Sequence, residues 1–359
     1  MRSLPAALWK TEFEFAYVVS VTELTGGDLL VSDERDRRIV RVSDRGRSLT
    51  EASRRGDGPG EFRQPGLFLS VSADSVLLAD QGARRWVVFG ASRRASTIGP
   101  ADVSTRLVPT MRVIGSDTLG FVYAVADPSL ILPATEDVSH RLPLVRVHRR
   151  TGAVDTVTFL RWDAPGHRAP SVAPAAAAGG RGREFVLSVR ALDQVAVAPD
   201  GWIVVVRISP YRIDWCGPKR ASCSTGAPIE PAARPWSDKD KKSWLQRRNE
   251  IGAWPPTTDP AMVVGWPKFL PAVVQPDGQA FRSAALITPS RGVAVRRVPR
   301  ADDTNVTYDV FARDGSLVGR VGLPFQSELV GFGRDGLVYV VTTDDQGLQS
   351  VSAHRWPIG

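Results

Sequence analysis

Two arginines run into a glycine-rich turn at RRGDGPGEF, residues 54–62. Backbone N–H groups in such turns can cradle phosphate, so nucleotide binding is the first chemistry to weigh. A P-loop, however, needs G-x-x-x-x-G-K-[ST] between a strand and a helix. Here no Lys, Ser or Thr follows the glycines, and Pro59 lacks the N–H a cradle would use. A strand pattern, not a helix, follows Phe62. The turn therefore reads as a connection between β-elements.

The other reactive residues are few. Cys216 and Cys223, in CGPKRASC, are too few for a four-ligand zinc site and lack CxxC spacing. Cys216 ends the strand-like YRIDW and a GPK turn follows, so the two thiols face each other across a hairpin. That spacing allows a disulfide, which would favour an oxidising compartment, and equally allows two free thiols. No G-x-S-x-G and no Ser/His/Asp order supports a covalent nucleophile.

Charge does not single out a polyanion as partner. The net charge is +8, but Arg35, Arg37, Arg38, Arg41, Arg45 and Arg47 alternate with Asp33, Glu34, Asp36 and Asp44. This is a mixed solvated surface, not the one-signed stripe that nucleic acid selects. A 43% hydrophobic fraction is enough for a sizeable core, and no run approaches the roughly 20 apolar residues of a membrane span. Pro5 and Lys10 interrupt the apolar run in MRSLPAALWKTEFEF, so no secretion signal is read there. That fits an intracellular chain or one whose leader lies outside this sequence.

The elements that must position these residues are strands, because apolar residues recur with period two almost throughout. GGDLLVSDERDRRIVRVSDRGRSL reads as strand, turn, strand, turn, strand, and DSVLLADQGARRWVVFGASRRASTI repeats it roughly 46 residues later. LLVSD (29–33) aligns with LLAD (77–80), and RRIVRVSDRG (37–46) with RRWVVFGASR (84–93). Weaker copies follow, with DRG, RTG, PDG and RDG at the tight turns. The units fall near 18–62, 63–107, 108–162, 185–236, 266–324 and 325–359. An N-terminal run, TEFEFAYVV (11–19), is expected to complete the last unit. Two insertions interrupt the series. Residues 164–183 are rich in Ala, Pro and Gly, and 237–252 is the one good helix candidate, capped by Ser237 and Asp240 and stopped by Gly252.

Six four-stranded antiparallel units that cannot bury their faces alone predict an all-β, six-bladed β-propeller forming one domain, with one short helical insertion. Trp86, Trp202, Phe121, Tyr339 and Phe311 are expected to fill the spaces between blades.

At GDGPGEFRQP (56–65), after LLVSDERDRRIVRVSDRG, the chain resembles the NHL-type six-bladed propellers. More closely it resembles the exported bacterial propellers that mostly have no assigned activity. YRIDWCGPKRASCSTGAPIEP (211–231), YDVFARDGSLVGRVGLP (308–324) and the ending GFGRDGLVYVVTTDDQGLQSVSAHRW carry that likeness. It implies an extracytoplasmic protein and says little of function, because propellers host unrelated activities. It also implies that inter-blade connections and the middle turn of each blade share one rim. Arg54, Arg55 and Glu61 would then lie on the same face as Glu34, Arg35 and Arg84.

Two enzymatic readings come with the likeness. Propeller lyases hold zinc with axial histidines, but His140, His148, His167 and His354 do not fall at inner-strand starts. Propeller lactonases place Glu, Asn and Asp around a calcium-like ion; Glu61, Asp33 and Asp80 could serve, although hairpin aspartates more often cap turns. The expectation is a non-catalytic, monomeric recognition or scaffold propeller without a cofactor, binding a protein, peptide or acidic polymer at the rim. A metal-assisted hydrolase or lyase with a channel ion is the alternative, and RNA binding on a basic face the third reading.

Overall fold

The structure, a computed structural model, describes residues 1–64, 66–72, 75–80, 82–83, 85–90, 96–98, 112–125, 141–163, 191–218, 223–229, 235–250, 259–262, 266 and 284–358. Its strands form six antiparallel sheets in chain order, the blades of a six-bladed β-propeller. Blade I is built from Val18–Glu23, Leu29–Asp33, Arg38–Ser43 and Ser48–Ser53. Blade II uses Phe68–Ser70, Ser75–Asp80, Arg85–Gly90 and Ser96–Ile98. Blade III runs from Arg112–Ser116 to Val154–Asp163, with Ala191–Leu192 added at its outer edge. Blade IV runs from Gln194–Val197 through Ile203–Ile208 and Tyr211–Cys216 to Cys223–Thr225. Blade V runs from Ala285–Ile287 through Val293–Arg296 and Asn305–Phe311 to Leu317–Pro324. Blade VI has Ser327–Phe332, Leu337–Thr343 and Gln349–Arg355.

The first strand of each blade lies beside the first strands of both neighbours, and blade VI contacts blade I, so the ring is closed. Its core is divided among the interfaces. Trp86 packs with Val113, Val122 and Ala124 between blades II and III, and Phe311 with Val204 and Trp215 between IV and V. Tyr339 meets Phe15, Val18 and Val31 between VI and I. Trp202 and Phe121 pack at the rims of two such clusters.

Because each sheet is covered on both faces, the middle strands do not alternate. Leu29–Asp33 is buried at every position, and Ile203–Ile208 at all but Arg207. The outer strands are far more exposed: Cys223–Thr225 is exposed throughout, and Leu317–Pro324 is buried only at Val321 and Leu323.

The closing strand of blade VI is Trp9–Lys10, antiparallel to Gln349–Arg355. The run 11–19 crosses from one blade to the next. Thr11 and Phe15 exchange backbone hydrogen bonds with Val351 and Gln349, and Val18 and Val19 already belong to blade I. Arg2–Ser3 adds a parallel fifth strand outside blade V, against Val321 and Gly322.

The helix spans Asp238–Glu250. Ser237 and Asp240 form a reciprocal cap, with Asp240 N–H donating to Ser237 Oγ at 3.1 Å and Ser237 N–H to Asp240 Oδ2 at 3.2 Å. Trp236, Trp244 and Trp266 pack it onto Val298 of blade V. Residues 164–183 and Gly252 lie outside the described residues.

Candidate functional site

The repeat LLVSD/LLAD places an aspartate at the end of each second strand, and both are fully buried. Asp80 accepts hydrogen bonds from the N–H groups of Arg63 (2.9 Å), Gln64 (3.0 Å) and Ala83 (3.2 Å) and pairs with Arg85. Asp33 does the same for Ala16 (3.0 Å), Tyr17 (2.9 Å) and Asp36 (3.4 Å), and pairs with Arg38. Each carboxylate thus fixes its own hairpin and the chain entering its blade, a use that satisfies a buried charge on several donors.

The RRGDGPGEF turn is tied in the same manner. Arg54 Nε donates to Glu61 Oε1 at 2.7 Å, and Glu61 Oε2 accepts from Gly58 N–H at 2.8 Å. Those two bonds, Arg54 first, hold the Glu61 carboxyl below the usual range. A Cβ on Gly56 would push the Glu61 carboxylate out of its place. Arg63 grips Asp57, and the Arg85 guanidinium donates to the carbonyls of Gly56, Asp57 and Glu61.

Of the six rim residues named from the sequence, the fold therefore joins Arg54 to Glu61. Arg35 and Arg55 are exposed, with no side-chain partner among the described residues. Glu34 is half-buried and its N–H donates to Tyr17 O. Arg84 lies outside the described residues. Strand register puts the two segments at one edge: Arg38 follows the Glu34–Arg37 turn, and neighbouring Ile39 pairs with Ser53 just before Arg54.

Blades IV and V carry a second polar arrangement that the sequence reading did not identify. Asp214 and Asp309 occupy the same place in their third strands, opposite Val205 and Val295. Asp214 receives Arg207 Nε (2.7 Å) and Arg212 Nε (3.0 Å). Asp309 receives Arg297 Nη1 (3.0 Å), Arg320 Nε (2.9 Å) and, from the neighbouring blade, Tyr211 Oη (3.0 Å). The shared signal was V-x-R two residues past the paired valine.

Cys216 and Cys223 are disulfide-bonded across the outer hairpin of blade IV. His148 caps its own turn, accepting from Thr151 N–H, and His354 contacts Ser352 Oγ and Pro5 O at the N-terminal latch. His140 and His167 are outside the described residues.

A cavity of about 570 Å³ runs along the axis. Each blade gives it an apolar residue: Val21, Leu69, Ile114, Val197, Leu286 and Val330. Among the described residues its carboxylates are Glu328, paired with Arg296 at 3.3 Å, and Asp200 at one mouth. No group of three His, Cys, Asp or Glu among the described residues is placed to hold a metal ion. At the Asp200 mouth, Arg313 makes a two-pronged pair with Asp200 (3.0 and 3.2 Å) and lies over the rings of Trp202 and Trp215. Burial works to raise the Asp200 carboxyl, but Arg313, the Trp202 N–H and Arg291 bring it below its ordinary value. Sequence reading saw only turns here, in the PDG that holds Asp200 and the RDG that holds Arg313, and did not single out Arg291.

No family model matches the chain, and no curated protein matches it. Solved structures do. A predicted exported protein of Bacteroides fragilis superposes with a TM-score of 0.50 at 10% identity, covering 98% of this chain and 97% of its own. A gluconolactonase of Xanthomonas campestris gives 0.46 at 10%, over 98% and 94%. A calcium-binding regucalcin of Agrobacterium tumefaciens gives 0.43 at 11%, over 100% and 98%. At such identities the likeness extends to the fold alone.

Proposed function

We propose that this propeller is a non-catalytic recognition module working outside the cytoplasm, with an acidic protein, peptide or polymer bound at the rim beside RRGDGPGEF. The observation that carries this reading is a contrast among neighbouring arginines. Arg38, Arg54, Arg63 and Arg85 are held by carboxylates, whereas Arg35, Arg37 and Arg55 are exposed and have no side-chain partner among the described residues. A rigid turn thus displays guanidinium forks, which suit carboxylate recognition, on a surface already ordered. The disulfide supports an oxidising location.

The test uses poly-L-glutamate as probe against the wild-type chain and the pair Arg35→Glu with Arg55→Glu. Retention that weakens steeply with salt, and at least roughly tenfold weaker binding by the variant, is the expected result. Equal binding by both proteins would overturn the rim assignment.

A further inference from the structure

The axial cavity and its charged mouth make a second site, independent of the rim. The mouth lies on the opposite face, where the first and second strands of each blade are joined by short turns, 198–202 in blade IV and 288–292 in blade V. Among the described residues three charged side chains border it: Asp200, Arg313 and Arg291. Arg313 donates to Asp200 through both Nη atoms and lies over the two indole rings. Arg291 stands 4.0 Å from the same carboxylate, beyond hydrogen-bond distance, with its side chain 75% exposed. Among the described residues, one carboxylate therefore faces two guanidinium groups, which leaves Arg291 as the excess positive charge.

Other charged groups near the axis, among the described residues, have partners of their own. Glu328 is paired with Arg296, and Glu23 accepts from Arg334 N–H and Tyr339 Oη while Arg334 donates to Thr25. Arg291 also holds a left-handed φ of 62°, a conformation uncommon for a residue with a Cβ, which turns the chain back at the mouth. Behind it each blade contributes an apolar side chain, with the hydroxyls of Ser20, Ser70, Ser116 and Thr288 set between them, and the volume is that of a small-molecule site.

We propose that the channel binds a monocarboxylic acid with an apolar body, the carboxylate on Arg291 and the body along the wall. The complementarity is in both charge and polarity. A monoanion answers Arg291 at the mouth, and an apolar tail lies along the side chains that the six blades contribute, among them Ile114, Leu286 and Val330. A cation would meet Arg291, and a neutral alcohol would leave it unanswered.

Calorimetric titration with hexanoate, octanoate and decanoate tests this. One-to-one binding is expected, tightening roughly three- to fourfold with each added methylene as more apolar surface is buried. Octylammonium should not bind, and 1-octanol should bind about tenfold more weakly than octanoate. Arg291→Glu, an exposed change that should leave the melting temperature unaltered, is expected to weaken octanoate at least about tenfold, while Arg35→Glu with Arg55→Glu leaves it unchanged. The assignment is overturned if decanoate shows no saturable binding below its micellar range. It is equally overturned if octylammonium binds as well as octanoate, or if Arg291→Glu binds like the wild type. Loss of octanoate binding through the rim pair instead of Arg291 would also refute it.

Discussion

Blades I and II solve the problem of a buried aspartate differently from blades IV and V. In the first pair, Asp33 and Asp80 sit at the end of a hairpin and spend their oxygens mainly on backbone N–H groups of the incoming chain. In the second, Asp214 and Asp309 sit within a strand and hold two guanidinium groups each. The first device freezes loops, and so displays a rim. The second joins strands and, through Tyr211, one blade to the next. The same residue type thus rigidifies a surface in one half of the ring and an interface in the other.

Asp309→Ala should break this contrast most severely. It strands Arg297, Arg320 and Tyr211 around a carboxylate-sized gap, and removing one partner of a buried pair costs ~3–5 kcal/mol. Chemical denaturation should show the upper part of that range, with the loss felt across the whole ring.

Asp80→Ala is expected to cost about 3 kcal/mol, with a different footprint. Hydrogen exchange should speed up at the amides of Arg63, Gln64 and Ala83. Equal acceleration in blades IV and V would mean that the two devices do not differ as described.

Blade IV has a covalent reinforcement that blade I lacks. Replacing Cys216 and Cys223 together by Ser should lower stability by about 2–3 kcal/mol, the loop-closure value for a short loop. Unchanged denaturation midpoints would show that the pairing of Tyr211–Cys216 with Cys223–Thr225 holds the hairpin without the bond.

The smallest effect concerns tyrosines. Burial first, then the charge of Glu23 and the hydrogen bond to it, pushes the Tyr339 hydroxyl well above its ordinary range. For Tyr123, burial and then Asp117 do likewise. Folded-state values above the unfolded value of about 10 mean that the folded chain keeps protons the unfolded chain has lost. Stability from these groups is complete below about pH 10 and declines as pH rises further. Tyr123→Phe with Tyr339→Phe should cost about 1 kcal/mol per lost hydrogen bond at neutral pH and flatten the alkaline decline in melting temperature. An alkaline slope that stays the same would assign it to other groups.

The ring was legible from sequence because its strongest signals are local. Asp33 and Arg38 recur as Asp80 and Arg85, and Ser237 with Asp240 announces a helix within four residues. The polar rim was legible only as a neighbourhood. Glu61 is close enough in sequence to Arg54 for a contact to be imaginable, but its bond to Gly58 depends on how the turn folds. The axial mouth was not legible at all. Asp200, Arg291 and Arg313 are far apart in the chain, and each looks like an ordinary turn residue until the ring brings blades IV and V side by side. Continuous burial of the middle strands was missed for a related reason, since a single strand does not reveal that both of its faces will be covered.

The latch between Trp9 and Ala353 has a consequence for how the protein is made. A ribosome releases blade I long before Tyr339, Val341 and Val351 exist to cover its outer apolar face. Until those residues emerge the nascent chain carries an open seam, and blade VI is what shuts it. Such a chain is most vulnerable to self-association before blade VI has folded, and a chaperone that shields the seam of blade I until then would be the most useful companion to its biogenesis.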